Sequence, residues 1–242
     1  MKAIILKQAL QTIFISSTIL CSSILFGQSP GGVSTNIQLW LKANDGVLNS
    51  GNPASSGQSV NTWQDKSTAR TNDATDHLVM GGGSTTIDPP TYHLSTTHNV
   101  NYNPVVTFDG MNDGLDFSDD YIYSSGTGSE DGMTWLALVH PAATTNKPLQ
   151  PIFDFGAISG EGYGLSYGSS HYGIYTPTSF GGAGDFRIPH SFSTQSALIT
   201  FKVSFGNNQT FDVNGSAPLT STGISMLSTL TDATINQAAT HG

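Results

Sequence analysis

The chain has 242 residues, with 8 basic against 17 acidic side chains and a formal net charge of −9. That balance excludes the basic footprint on which nucleic-acid binding depends. A single cysteine, Cys21, excludes an internal disulfide, so burial and hydrogen bonding must hold the fold.

Lys2 and Lys7 precede an apolar and hydroxyl-rich run from Thr12 to Phe26, which has the length of a secretory h-region and is too short to span a bilayer. Residues 1–27 are therefore predicted to be a signal peptide cleaved after Gly27, and residues 28–242 the folded domain. Cys21 falls inside that signal, and Thr18-Ile19-Leu20 lacks the small residue that precedes a lipidated cysteine. Cleavage removes Cys21, Lys2 and Lys7 and leaves every acid in place. No later apolar stretch is long enough to cross a membrane.

Beyond the signal, short β-branched and aromatic runs alternate with Gly, Ser, Thr and Asn, the punctuation of a many-stranded antiparallel protein. Strands are predicted at Ile37–Ala43, Val60–Asp65, Asp73–His77, Val105–Asp109, Gly114–Ser118, Met133–His140, Pro151–Phe155, Tyr163–Tyr167, Tyr172–Thr176, Ala197–Phe205 and Thr210–Val213. Ile37, Leu39 and Leu41 share one parity in the first. Ile199, Phe201, Val203 and Phe205 share one in the tenth, against Leu198, Thr200, Lys202 and Ser204, which marks one dry and one wet face. Gly206-Asn207-Asn208 and Asn214-Gly215 predict two consecutive hairpins, and Asp109 to Gly114 a third. Asn44 to Gln58 and Gly81 to Asn103 read as long polar connections, candidates for functional loops.

Three blocks carry a family resemblance: Trp40-Leu41-Lys42-Ala43-Asn44-Asp45-Gly46-Val47, then Trp63-Gln64-Asp65-Lys66-Ser67 with Asn72-Asp73-Ala74, then Asn103-Pro104-Val105-Val106-Thr107-Phe108-Asp109-Gly110-Met111-Asn112-Asp113. In order, spacing and residue type they resemble laminin-G-like, concanavalin A-like domains of exported Bacteroidetes surface proteins, and Pro30-Gly31-Gly32-Val33 resembles the start of such modules. The resemblance implies an all-β fold, an antiparallel two-sheet β-sandwich of the jelly-roll kind. It also implies a calcium ion at a sandwich rim and a cell-surface or secreted location. Relatives of this kind close with a further strand after a segment like Thr234 to Ala239, so a domain truncated at its C-terminus is expected.

Glycosidases on this scaffold set several carboxylates along one strand as nucleophile and acid. Outside the signal this chain has only Glu130 and Glu161 as glutamates, in no such array, and an acid–base pair would have to recruit an aspartate such as Asp154 or Asp185. Nucleophile elbows, phosphate loops and zinc-ligand spacings are absent from the sequence. Asp109, Asp113 and Asp120 occupy the first, fifth and twelfth places of a calcium-loop spacing, but Met111 fills the third; hairpin-turn acids bonding their own backbone are the competing reading, and the preferred one. For saccharide stacking, Tyr163, Tyr167, His171, Tyr172 and Tyr175 cluster among glycines, and the competing reading, again preferred, places strand aromatics in the core. Trp40, Trp63 and Trp135 are predicted to be core.

The sequence thus points to a non-catalytic carbohydrate-binding or adhesive module whose partner is a glycan or cell-surface molecule. A structural spacer in a larger surface protein is the alternative, and a glycoside hydrolase on the same scaffold ranks last. Melting of the mature protein, purified after export and processing, is expected to be identical with and without dithiothreitol; a shift would show that Cys21 is retained and bridges two chains.

Overall fold

The computed structural model describes residues 30–33, 35–67, 72–76, 88–94, 100, 102–117, 133–141, 149–157, 161–168, 171–175, 186–189, 196–204, 208–222 and 233–235. The predicted signal lies outside them. Sixteen strands form among the described residues: β1 Val47–Asn49, β2 Asn52–Pro53, β3 Thr62–Trp63, β4 Ala74–Thr75, β5 Thr91–His93, β6 Val105–Thr107, β7 Leu115–Phe117 and β8 Met133–Val139. The chain continues through β9 Leu149–Ala157, β10 Glu161–Gly168, β11 His171–Tyr175, β12 Phe186–Pro189, β13 Ala197–Ser204, β14 Asn208–Val213, β15 Leu219–Thr222 and β16 Ala233–Ile235. They assemble into a ten-stranded sheet in the order β12-β11-β10-β9-β16-β7-β4-β3-β1-β2, a four-stranded sheet β15-β14-β13-β8 and the pair β5-β6, with every strand pairing antiparallel. Pro30–Gly32 makes one turn of 3-10 helix.

The period-two pattern of β13 sets the layering. Ala197, Ile199 and Phe201 are buried while Leu198 and Lys202 face out, as the alternation predicts. Phe201 stands opposite Trp135 of β8 on one side and Phe211 of β14 on the other. The Trp135 ring meets Phe201 edge-on at 5.3 Å and also Phe153 of β9 at 4.6 Å. One side chain therefore joins the two large sheets through a favoured aromatic geometry. Val47, Ala74, Leu115, Phe117, Leu165 and Tyr172 complete the core from the ten-stranded sheet, and the molecule is an all-β sandwich. Trp135 is core as predicted, whereas Trp40 and Trp63 are only half-buried.

Pro151 lies within β9 although proline cannot donate to a ladder. Two features accommodate it. The β9–β10 register slips between Leu165 and Ser166, and β16 pairs with β9 only from Phe153 to Phe155, beyond the proline.

Four expectations are corrected. The predicted strand Ile37–Ala43 forms only bridges, Leu41 to Asp65 and Lys42 to Asp45, because side chains rather than a ladder take its main-chain groups. Buried Asp65 accepts the Trp40 and Ser67 N–H groups on Oδ1, both at 2.8 Å, and the Ser67 hydroxyl on Oδ2 at 2.7 Å. Its own N–H donates to Asp73 at 2.8 Å, and Asn72 donates its side-chain amide to the Gln38 carbonyl at 2.8 Å. Secondly, the polar stretch Asn44 to Gln58 contains the β1–β2 hairpin, whose Ser50 and Gly51 both have positive φ, 48° and 80°, as a tight two-residue turn needs. Thirdly, β5 lies inside the expected connection Gly81 to Asn103. Fourthly, Asp109 to Gly114 does not close a hairpin: β6 pairs with β5, and β7 with β4 and β16, so this turn carries the chain from one sheet to another.

Asp65→Ala leaves buried N–H donors without an acceptor and is expected to cost about 2 to 4 kcal/mol. Asp65→Asn keeps one oxygen and should cost about 1 to 2 kcal/mol less than that. Urea midpoints of both variants measure this, and an alanine variant within about 0.5 kcal/mol of the parent would remove Asp65 from its central place.

Candidate functional site

The acid-rich turn between β6 and β7 is wired to its own backbone. Asp109 Oδ1 accepts N–H groups from Met111 at 2.7 Å, Asn112 at 3.1 Å and Asp113 at 3.3 Å, and Asp113 Oδ2 accepts the Asp109 N–H at 2.7 Å. Asn112 donates its amide to Asp88 Oδ2 at 2.9 Å, while the Asp88 N–H donates to the Asn112 carbonyl at 2.9 Å and the Gly114 N–H to the Asp88 carbonyl at 3.0 Å. This is the self-bonded turn, in which carboxylates close on amides and tie the start of β5 to the start of β7. Desolvation raises the Asp113 carboxyl to about 6, with the Asp109 N–H opposing the shift and the Asp109 and Asp88 charges adding to it.

A calcium loop needs carboxylate oxygens converging on one point. Here backbone N–H groups bond Asp109 Oδ1 and Asp113 Oδ2; Asp120, the third expected ligand, lies outside the described residues. Among the described residues no group of three or more His, Cys, Asp or Glu is placed to hold a metal ion.

The predicted stacking segment forms β10 and β11. Tyr163 stands opposite Phe155, Tyr167 opposite Tyr172, His171 opposite Pro189 and Tyr175 opposite Gly164. Tyr172 is 3% exposed and belongs to the core, so its ring offers no face to a saccharide. The side chains of Tyr163, Tyr167, His171 and Tyr175 lie outside what is described.

An aromatic ring is presented instead at the end of the β5–β6 hairpin. Tyr102 is 89% exposed and has a φ of 65°, in the left-handed region. It occupies the third place of a four-residue turn closed by reciprocal backbone bonds, Asn103 N–H to Val100 carbonyl at 3.0 Å and Val100 N–H to Asn103 carbonyl at 3.3 Å. That place favours Gly or Asn when φ is positive. Val100, buried, roots the turn, and Leu94, half exposed, leaves β5 beside it. Sequence reasoning named the surrounding connection but not this residue. The signal was its setting, Asn101-Tyr102-Asn103-Pro104, in which turn formers on both sides leave no strand for the ring to pack in.

His140 Nδ1 lies 3.1 Å from Ser196 Oγ just beyond the paired ends of β8 and β13. In a serine triad the far imidazole nitrogen, Nε2, faces serine while Nδ1 is held by a carboxylate. The nitrogen facing Ser196 is the other one, and the contact reads as a strand-end lock.

No family model and no curated protein matches the chain. Among solved structures it is similar to HCR/D-Sa-GBL1/C, with a TM-score of 0.42 and 12% identity over 81% of this chain and 45% of that one. It is also similar to a botulinum neurotoxin type C structure described as depending on two ganglioside molecules for cell entry, with a TM-score of 0.42 and 11% identity over 87% of this chain and 46% of that one. The chain spans less than half the length of either, and likeness at this level assigns it no function.

The Asp113 carboxyl gives a pH signature. Its folded value near 6 exceeds the ordinary 3.8, so its contribution to stability is fully present below about pH 3.8 and is lost as pH rises through 6. Asp113→Asn keeps an acceptor for the Asp109 N–H and removes the titration. The variant is expected to gain melting temperature over the parent progressively between pH 4 and pH 7; a gap that stays constant across that range would contradict the assignment.

Proposed function

We propose that the chain is an exported, non-catalytic β-sandwich of a surface protein that binds carbohydrate or adheres through it, in keeping with the laminin-G-like, concanavalin A-like resemblance of its first blocks. One observation carries the reading: Tyr102 holds an almost fully exposed ring on a backbone conformation that penalises it. A left-handed residue with a Cβ costs about 1 to 2 kcal/mol, and at 89% exposure little burial offsets that cost. Strain of this sort persists where the surroundings over-determine it, and the closed Val100–Asn103 turn does so. A ring held out on such a turn offers a face on which a sugar can stack.

A spacer within a larger surface protein is the second reading. It is favoured by Leu136, Leu138 and Leu198, which are 60%, 59% and 44% exposed on the outer face of β8 and β13, with Leu138 directly opposite Leu198.

The two readings part on a glycan array probed with residues 28–242, with and without calcium. Retention of at least one glycan is expected, and Tyr102→Ala should weaken it by about 1 to 3 kcal/mol, as for an exposed anchor. Tyr102→Gly should lose the same binding while gaining about 1 kcal/mol of stability, because glycine relieves the backbone. An array that retains nothing leaves the spacer reading.

A further inference from the structure

We propose that Asn214 is an acceptor for N-linked glycosylation, taking an oligosaccharide from a polyprenyl-diphosphate donor onto its side-chain nitrogen. The sequence holds two Asn-x-Ser/Thr triplets, Asn208-Gln209-Thr210 and Asn214-Gly215-Ser216, and the fold treats them in opposite ways. The first is built into β14 between two neighbours: Asn208 is in register with Ser204 of β13 and Thr222 of β15, Thr210 with Lys202 and Thr220, and Gln209 is buried. An enzyme that takes the triplet as a free loop cannot reach it without opening both ladders. The second triplet turns the chain out of β14. Asn214, Gly215 and Ser216 are all exposed, Asn214 and Gly215 have φ of 55° and 67°, and the Ser216 N–H closes the turn on the Val213 carbonyl at 3.1 Å. A Cβ placed on Gly215 meets no described atom within 4 Å, so the space over the turn is open.

Within that turn the Asn214 carboxamide is held by one end. Oδ1 accepts the Leu198 N–H at 2.8 Å and the Asn214 N–H donates to the Leu198 carbonyl at 2.7 Å, whereas Nδ2, the atom a glycan joins, makes no hydrogen bond among the described residues. Glycosylation replaces one Nδ2 hydrogen and keeps the carbonyl, so the bond to Leu198 survives it. A two-residue turn of this kind calls for Asn-Gly and places no demand on the residue that follows. Ser216 nevertheless sets a hydroxyl there, and its Oγ accepts the Val213 N–H at 3.4 Å, a bond weak enough to give up. The transfer balances without a redox partner: the donor's C1–O bond breaks as C1 bonds Asn214 Nδ2, the amide loses one proton, and the polyprenyl diphosphate leaves. A sugar attached here stands close to exposed Leu198 and to Leu138 opposite it, and covers part of that apolar surface. Export, part of the reading above, is what brings the chain to such an enzyme. The acceptor chemistry belongs to the folded chain alone, so its failure leaves the carbohydrate-binding reading untouched.

The test incubates the full folded chain with a purified single-subunit oligosaccharyltransferase and its lipid-linked oligosaccharide, and locates the product by fragmentation mass spectrometry. Asn214 is expected to be modified at least about tenfold faster than Asn208, which waits on the opening of β14. In Ser216→Ala, which keeps the Asn-Gly turn, modification is expected to be lost with the melting temperature unchanged, and Ser216→Thr to retain it. The peptide that trypsin releases after Lys202 holds both triplets without the rest of β13, and both of its asparagines are expected to react. A folded chain modified at Asn208 in preference to Asn214, or at neither, would overturn the assignment, as would an undiminished rate in Ser216→Ala. A peptide left unmodified at Asn208 would show that sequence rather than fold makes the choice, and would overturn it too.

Discussion

A buried carboxylate with all its oxygens engaged is the constraint on which the amino-terminal half of the domain depends. Asp65 sits at the end of the β3 segment and gathers Trp40, Ser67 and, through its own N–H, Asp73. A charged group that deep is tolerable only when hydrogen bonds replace its water, and here both oxygens are supplied from the chain itself. The benefit is positional. Residues 37–43 lack a ladder of their own, yet Lys66 N–H bonds the Trp40 carbonyl at 2.8 Å and the Trp63 indole bonds the Lys42 carbonyl at 2.9 Å, so the segment is laid against β3 at a fixed height. Leu39 and Leu41 can then pack on the core edge.

The other half is organised by apolar alternation, and there the sequence was most legible. β8, β9, β10, β11, β13 and β14 fall where period-two patterns and turn residues predict them, because long strands with one dry face leave a signal that spans many residues. Strands of two to four residues leave less, although β3, β4, β6 and β7 lie within predicted strands and β15 follows a predicted turn. β1, β2, β5, β12, β15 and β16 owe their existence to neighbours distant in sequence, as when β16 slots between β9 and β7. Turn chemistry is legible only as a change of direction: Asp109 to Gly114 has the composition of a hairpin loop and serves as a corner between sheets, since nothing local records which strand the departing chain will meet.

The same limit governed the candidate site. Tyrosines spaced along β10 and β11 look alike on paper whether they face a ligand or the opposite sheet, and Tyr172 faces inward. Tyr102 was passed over because its distinguishing property is a backbone angle, which the turn formers around it permit but do not specify. The acidic turn shows the converse. Its composition alone suggested both a cation loop and a self-bonded turn, and the amide bonds around Asp109 are those of a self-bonded turn.

Gly46 and Lys66 illustrate how packing makes tolerance to change directional. A Cβ on Gly46 would stand 2.5 Å from Lys66 Cε and 2.9 Å from Gln64 Cβ, and the residue's φ is 81°. Shortening Lys66 removes the first obstruction but neither the second nor the left-handed backbone, so it does not open position 46 to alanine. With Gly46 kept, losing the Lys66 head gives up a partly exposed ion pair with Asp45, which is worth little. The epistasis between the two therefore runs one way: a lineage can drift freely at position 66 only while it remains locked at position 46.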